Sequence, residues 1–123
     1  MTESSGQTEL RLLVVEDDSL IAMELECLLE DLGHRVLGIA GTPDGALRLL
    51  SELSGQIDAV VLDANLDGRS AAPVAHALRA RSVPFVIASG YEPAELRHLG
   101  FEEAGVGKPY SREAMRQALD RLR

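Results

Sequence analysis

Five short aliphatic runs, each followed by a stretch with helical spacing or turn residues, restrict this chain to very few folds. The runs lie at 10–15, 35–40, 56–62, 84–88 and 104–107. Each is short, rich in Val, Ile, Leu or Ala, and bounded by Gly, Pro, Asp or Ser, which marks strands rather than helices. Between the first two, apolar residues at 20, 21, 25, 28, 29 and 32 repeat with a helical period, and Gly33 ends it. Thr42-Pro43-Asp44 opens a second helix running to about Leu53, with Pro43 in the first turn. A third helix spans 70–81, with Pro73 near its start, and a short one spans 92–99. The last begins at the N-cap Ser111 and carries Ala114, Met115, Ala118, Leu119 and Leu122 on its apolar side. Such alternation predicts a parallel sheet with helices on both faces. The expected form is the flavodoxin-like (βα)5 doubly wound sandwich, with strand order 2-1-3-4-5.

A chain of 123 residues is one domain. Residues 1–9 are polar and Ser-rich and read as a flexible leader before a domain at 10–123. A formal charge of −8 argues against holding nucleic acid through phosphate neutralisation and suits a cation or a protein partner. No stretch is long and apolar enough to span a membrane, and the single cysteine suits a reducing cytoplasm. That residue, Cys27, stands among Leu25, Leu28 and Leu29 and reads as a small buried hydrophobe. His34, His76 and His98 show no metal-ligand spacing and read as surface residues.

The chemistry collects at strand ends. The order 2-1-3-4-5 brings the ends of strands 1, 3, 4 and 5 into one crevice. Those ends carry Glu16 and Asp17, then Asp63, then Ser89, then Lys108, the one lysine beside eleven arginines. Three carboxylates in one place repel each other unless a cation lies among them. Mg²⁺ suits such a site, because it needs few protein carboxylates and keeps several waters. A simpler role for this acidic run is to cap the first helix, through Asp18 or Ser19. Lys108 and Ser89 facing Asp63 make either a buried ion pair or an anion site. In the anion site, Asp63 takes a phosphoryl group. Lys108 and Ser89 then bind its oxygens, assisted by the amides of Ala64 and Gly90.

Four segments in order carry a resemblance: Val14-Val15-Glu16-Asp17-Asp18, Val61-Leu62-Asp63-Ala64-Asn65, Ala88-Ser89-Gly90 and Lys108-Pro109-Tyr110. With them, residues 10–122 resemble the response-regulator receiver domain of two-component signalling. The resemblance implies that Asp63 is the phosphoacceptor. It implies Mg²⁺ on Glu16, Asp17, Asp63 and the Asn65 carbonyl, Ser89 as the switch hydroxyl, and a cis Lys108–Pro109 bond. The run Pro84-Phe85-Val86-Ile87-Ala88-Ser89-Gly90-Tyr91 is similar to the FATGUY subgroup of stand-alone receivers, which implies a kinase of the HWE or a related type. Several positions depart from the family pattern. Asp67 and Ala71 stand where most receivers have Pro and Gly, so the loop after Asp63 is expected to be loose, with Gly68 as its hinge. Gly105 stands in place of the switch aromatic, for which Tyr91 is the nearest substitute. The stretch between Ser89 and Lys108 is short, so the helix at 92–99 is expected to be partly disordered.

The resemblance implies a non-enzymatic phosphorelay protein. It would take a phosphoryl group from a sensor histidine kinase or phosphotransfer protein and switch contacts with a downstream protein target. The expected partner face is the first helix with the last, or the side formed by the short helix, the fifth strand and the last helix. A phosphorylation-independent binding module is the alternative that the departures suggest. A small Mg²⁺-dependent phosphatase with Asp63 as nucleophile would need an acid two residues on, where Asn65 stands. A flavin carrier would need aromatic residues for ring stacking, and these are scarce.

Overall fold

The computed structural model describes residues 9–89, 105–107 and 111–122. The leader before Glu9, the helix expected at 92–99, Gly90, Tyr91, Lys108-Pro109-Tyr110 and the side chain of Ser89 lie outside the described residues.

In chain order the elements are β1 (Arg11–Val15), α1 (Ser19–Asp31), β2 (Arg35–Ala40), α2 (Pro43–Glu52) and β3 (Ala59–Asp63). A hairpin follows, of β4 (Asn65–Leu66) and β5 (Arg69–Ser70). Then come α3 (Ala72–Ala80), β6 (Phe85–Ser89), β7 (Gly105–Gly107) and α4 (Arg112–Asp120). The main sheet runs β2-β1-β3-β6-β7, every pair parallel. Apart from the hairpin this is the expected 2-1-3-4-5 order.

Central position explains the uniform apolarity of β1 and β3. Leu12 to Val15 and Ala59 to Leu62 are essentially solvent-free, because helices cover both faces. Side chains alternate between two cores. Leu13, Val15, Val60, Leu62 and Ile87 pack with Leu50, Val74 and Leu78 of α2 and α3. Leu12, Val14, Val61 and Val86 pack with Leu25, Leu29, Met115 and Leu119 of α1 and α4. Helix starts follow local chemistry. Asp18 Oδ1 accepts from the N–H groups of Leu20 and Ile21, at 2.9 and 3.2 Å. Thr42 Oγ1 accepts from the Gly45 N–H at 3.0 Å, with Pro43 opening α2, and Ser111 Oγ accepts from the Ala114 N–H at 3.0 Å. An Arg112–Asp31 ion pair joins α4 to the end of α1.

Several expectations need correction. Cys27 is exposed, not buried, because α1 turns Ala22, Leu25 and Leu29 to the sheet and points position 27 away. His34 is buried, at 7 % exposure, and its Nδ1 accepts the Leu10 N–H at 3.0 Å, so it pins the entry to β1. The third strand begins at Ala59 rather than 56, because Asp58 leaves the strand pattern to bind Arg11. Its carboxylate accepts from the Arg11 N–H at 2.7 Å and from Nε and Nη2 at 3.1 Å each. The guanidinium and the amide hold the Asp58 carboxyl below the usual carboxylate range, against partial burial, which acts the other way. Helix α3 starts at Ala72 rather than 70, because residues 65–70 form the hairpin. Among the described residues no helix is long and apolar enough to cross a membrane.

Candidate functional site

Strand β1 ends at Val15 and delivers Glu16 and Asp17 to the C-terminal edge of the sheet, where α1 begins. The neighbouring central strand β3 ends on Asp63 itself. One carboxylate oxygen from each of Glu16, Asp17 and Asp63 lies within 4.8 Å of the other two. Glu16 is 4 % and Asp63 7 % exposed, whereas Asp17 faces solvent. The site is therefore two sheltered carboxylates with a third at its mouth.

Local hydrogen bonds orient these groups. The Glu16 N–H donates to the Ala40 carbonyl at 2.9 Å, and Glu16 Oε2 accepts from the Asp18 N–H at 3.1 Å. Asp63 Oδ1 accepts from the Asn65 N–H at 3.1 Å. Asp18, the N-cap of α1, stands apart from the cluster in role, and the positive end of that helix favours the acidic run. An all-oxygen donor set of three anionic carboxylates fits a hard divalent cation, which removes their mutual repulsion.

The structure thus brings together Glu16, Asp17 and Asp63, with Ala64 buried directly behind and Asn65 opening the hairpin. The backbone of β6 places Ser89 one residue beyond the position that pairs with Asp63, and Ser89 itself pairs with Gly107. The strand ends expected to converge therefore lie side by side. Gly90, Lys108 and the Ser89 side chain are outside the described residues.

The loop after Asp63, expected to be loose, is closed by an antiparallel ladder pairing Asn65 with Ser70 and Leu66 with Arg69. Its tip is Asp67-Gly68, with φ of 53° and 80°, as a type I′ turn requires. The Asp-Gly pair was the sequence signal for it. A cleft of about 340 Å³ at the opposite edge, between the ends of α2 and α3, is not this site. Its polar walls are already engaged, Arg11 with Asp58 and Arg81 with the Leu50 carbonyl at 3.2 Å.

A doubly wound parallel sandwich with an acidic cluster at its switch point defines a flavodoxin-like α/β protein whose chemistry sits at the β1–β3 crevice. No protein-family model matches the chain. Individual relatives do. The phyllosphere-induced regulator PhyR of Methylorubrum extorquens is 32% identical, over 98% of this chain and 49% of its own length. The solution structure of SdrG from Sphingomonas melonis Fr1 is 38% identical, covers 93% of this chain and 96% of SdrG, and superposes with a TM-score of 0.79. The receiver (REC) domain of the Erythrobacter litoralis response regulator PhyR is 28% identical over 93% of this chain and 89% of that domain, with a TM-score of 0.78. This chain belongs to the response-regulator receiver family. It spans about half the length, or less, of the curated relatives it matches, which are regulators.

Proposed function

We propose that this receiver takes a phosphoryl group from a phosphohistidine onto Asp63 and thereby switches its protein contacts. The observation that carries this reading is Asp63 itself, a sheltered carboxylate at the tip of a central strand, grouped with two further carboxylates. An Asp63 oxygen attacks phosphorus in line. The new O–P bond forms as the P–N bond to the donor imidazole breaks, and the electron pair leaves with that nitrogen. Glu16, Asp17, Asp63 and the Asn65 carbonyl would hold Mg²⁺, which when bound offsets charge on the transferred oxygens. Lys108, Ser89 and the Ala64 and Gly90 amides are assigned to the remaining oxygens, with Ser89 as the hydroxyl that follows the phosphoryl group on switching.

The donor in this reading is a sensor histidine kinase or phosphotransfer protein that the chain meets in the cytoplasm, with an HWE-type kinase as the first to try. Helix α1 supports such docking, since Leu20 and Met23 are 65 % and 61 % exposed and α1 starts beside the acidic cluster. The phosphatase alternative is disfavoured by Asn65, an amide whose Oδ1 is held by the Gly68 N–H at 2.9 Å. Intact mass after incubation with acetyl phosphate tests the proposal. The expected result is one phosphoryl group that needs Mg²⁺ and is absent in Asp63→Asn. A wild-type chain unmodified by acetyl phosphate and unchanged by beryllofluoride would reject it.

A further inference from the structure

We propose that the Asp67-Gly68 hairpin is a clamp that fixes the side-chain rotamer of Asp63, with Asn65 as the positioning residue between them. The consequence for phosphorylation rests on the phosphoacceptor reading above; the positioning itself does not.

Asn65 is tied at both ends. Its N–H donates to Asp63 Oδ1 at 3.1 Å, and its side-chain Oδ1 accepts the Gly68 N–H at 2.9 Å. The first bond makes the two oxygens of Asp63 inequivalent, since one faces a fixed amide. The second fixes that amide, because the residue that donates it is anchored to the turn. The rest of the loop leaves little freedom. The β4–β5 ladder pairs Asn65 with Ser70, the Ala71 N–H donates to the Ala64 carbonyl at 3.1 Å, and Ser70 Oγ accepts the Ala72 N–H at 3.0 Å. Leu66 and Ala71 are fully buried beneath it. The loop is thus bonded to the site through Asn65, to β3's end through Ala71 and to α3 through Ser70.

The clamp depends on backbone conformation at its tip. Gly68 has φ +80°, and a Cβ there would meet nothing within 4 Å. A substitution at 68 therefore acts only through the backbone, not through a clash. Val resists this conformation and Asn adopts it readily. The hairpin is separate from the five-stranded sheet, but Leu66 packs into the α2–α3 core, so the unfolding of each variant is followed alongside.

The test compares the wild type with Gly68→Val and Gly68→Asn in the full chain. Three measurements are made: Asp63 side-chain couplings and Asn65 amide exchange without metal, Mg²⁺ affinity by calorimetry, and phosphorylation rate with acetyl phosphate. Gly68→Val is expected to average the Asp63 χ1 couplings, to expose the Asn65 amide, and to weaken Mg²⁺ binding roughly 10- to 100-fold, as lost outer-shell support of metal ligands does. Gly68→Asn is expected to stay within about twofold of the wild type, since Asn tolerates positive φ. Wild-type couplings and Mg²⁺ affinity in Gly68→Val, with its hairpin amides unprotected, would overturn the clamp. If the wild type takes no phosphoryl group, the phosphoacceptor reading fails, while the metal-free couplings still decide the clamp.

Discussion

At the scale of single residues, Asp63 and Asp58 mark the two ends of β3 and do opposite work. Asp58 is spent on structure. Its depressed pKa means that its stabilising contribution is complete above the unfolded value of about 3.9 and is lost as pH falls through the lower folded value. Asp58→Ala should cost about 1–2 kcal/mol in denaturant unfolding at pH 7, through the lost bonds to the Arg11 amide and guanidinium. The deficit should shrink below pH 4, and the acetyl phosphate reaction at neutral pH should be unaffected. The strand-end carboxylates were legible because a short β-branched run that stops on Asp tells its register and its direction together. Cys27 and His34 were not. Neighbours in sequence say nothing about which way one helix position turns, and the His34 bond to the Leu10 N–H spans two strands.

At the scale of elements, the β-strands were legible because both sheet faces are covered, so their residues are apolar throughout. Leu62→Ala should therefore destabilise by about 2–5 kcal/mol in chemical unfolding, leaving a void between β3 and the α2–α3 layer. The turn after Asp63 is legible in its Asp67-Gly68 pair, which has a backbone reason, but the flanking strands of two residues each are too short to carry a strand pattern. Helix α1 shows the reverse mismatch. Its sequence has more apolar positions than the sheet covers, and Leu20 and Met23 are the surplus. If α1 meets the phosphodonor, Leu20→Glu with Met23→Glu should slow transfer from a cognate phosphohistidine protein at least tenfold, about 1.4 kcal/mol, by weakening docking. Uptake from acetyl phosphate, which needs no docking surface, should change by less than about twofold. Equal loss with both donors would place the effect in the site and not in the contact.

At the scale of the molecule, function follows from topology. Parallel strands in the order β2-β1-β3-β6-β7 put the ends of β1, β3, β6 and β7 on one edge, so residues far apart in sequence meet without any local signal. The acidic cluster was readable only because that order could be inferred first. The central claim is that the edge exists to place a phosphoryl group on Asp63. Borohydride trapping of the protein after reaction with a phosphohistidine donor and Mg²⁺, followed by peptide mapping, tests it most directly. The account predicts reductive modification at Asp63 that disappears when Mg²⁺ is chelated. Modification at another carboxylate, or none from a donor that intact mass shows to phosphorylate this chain, would contradict it.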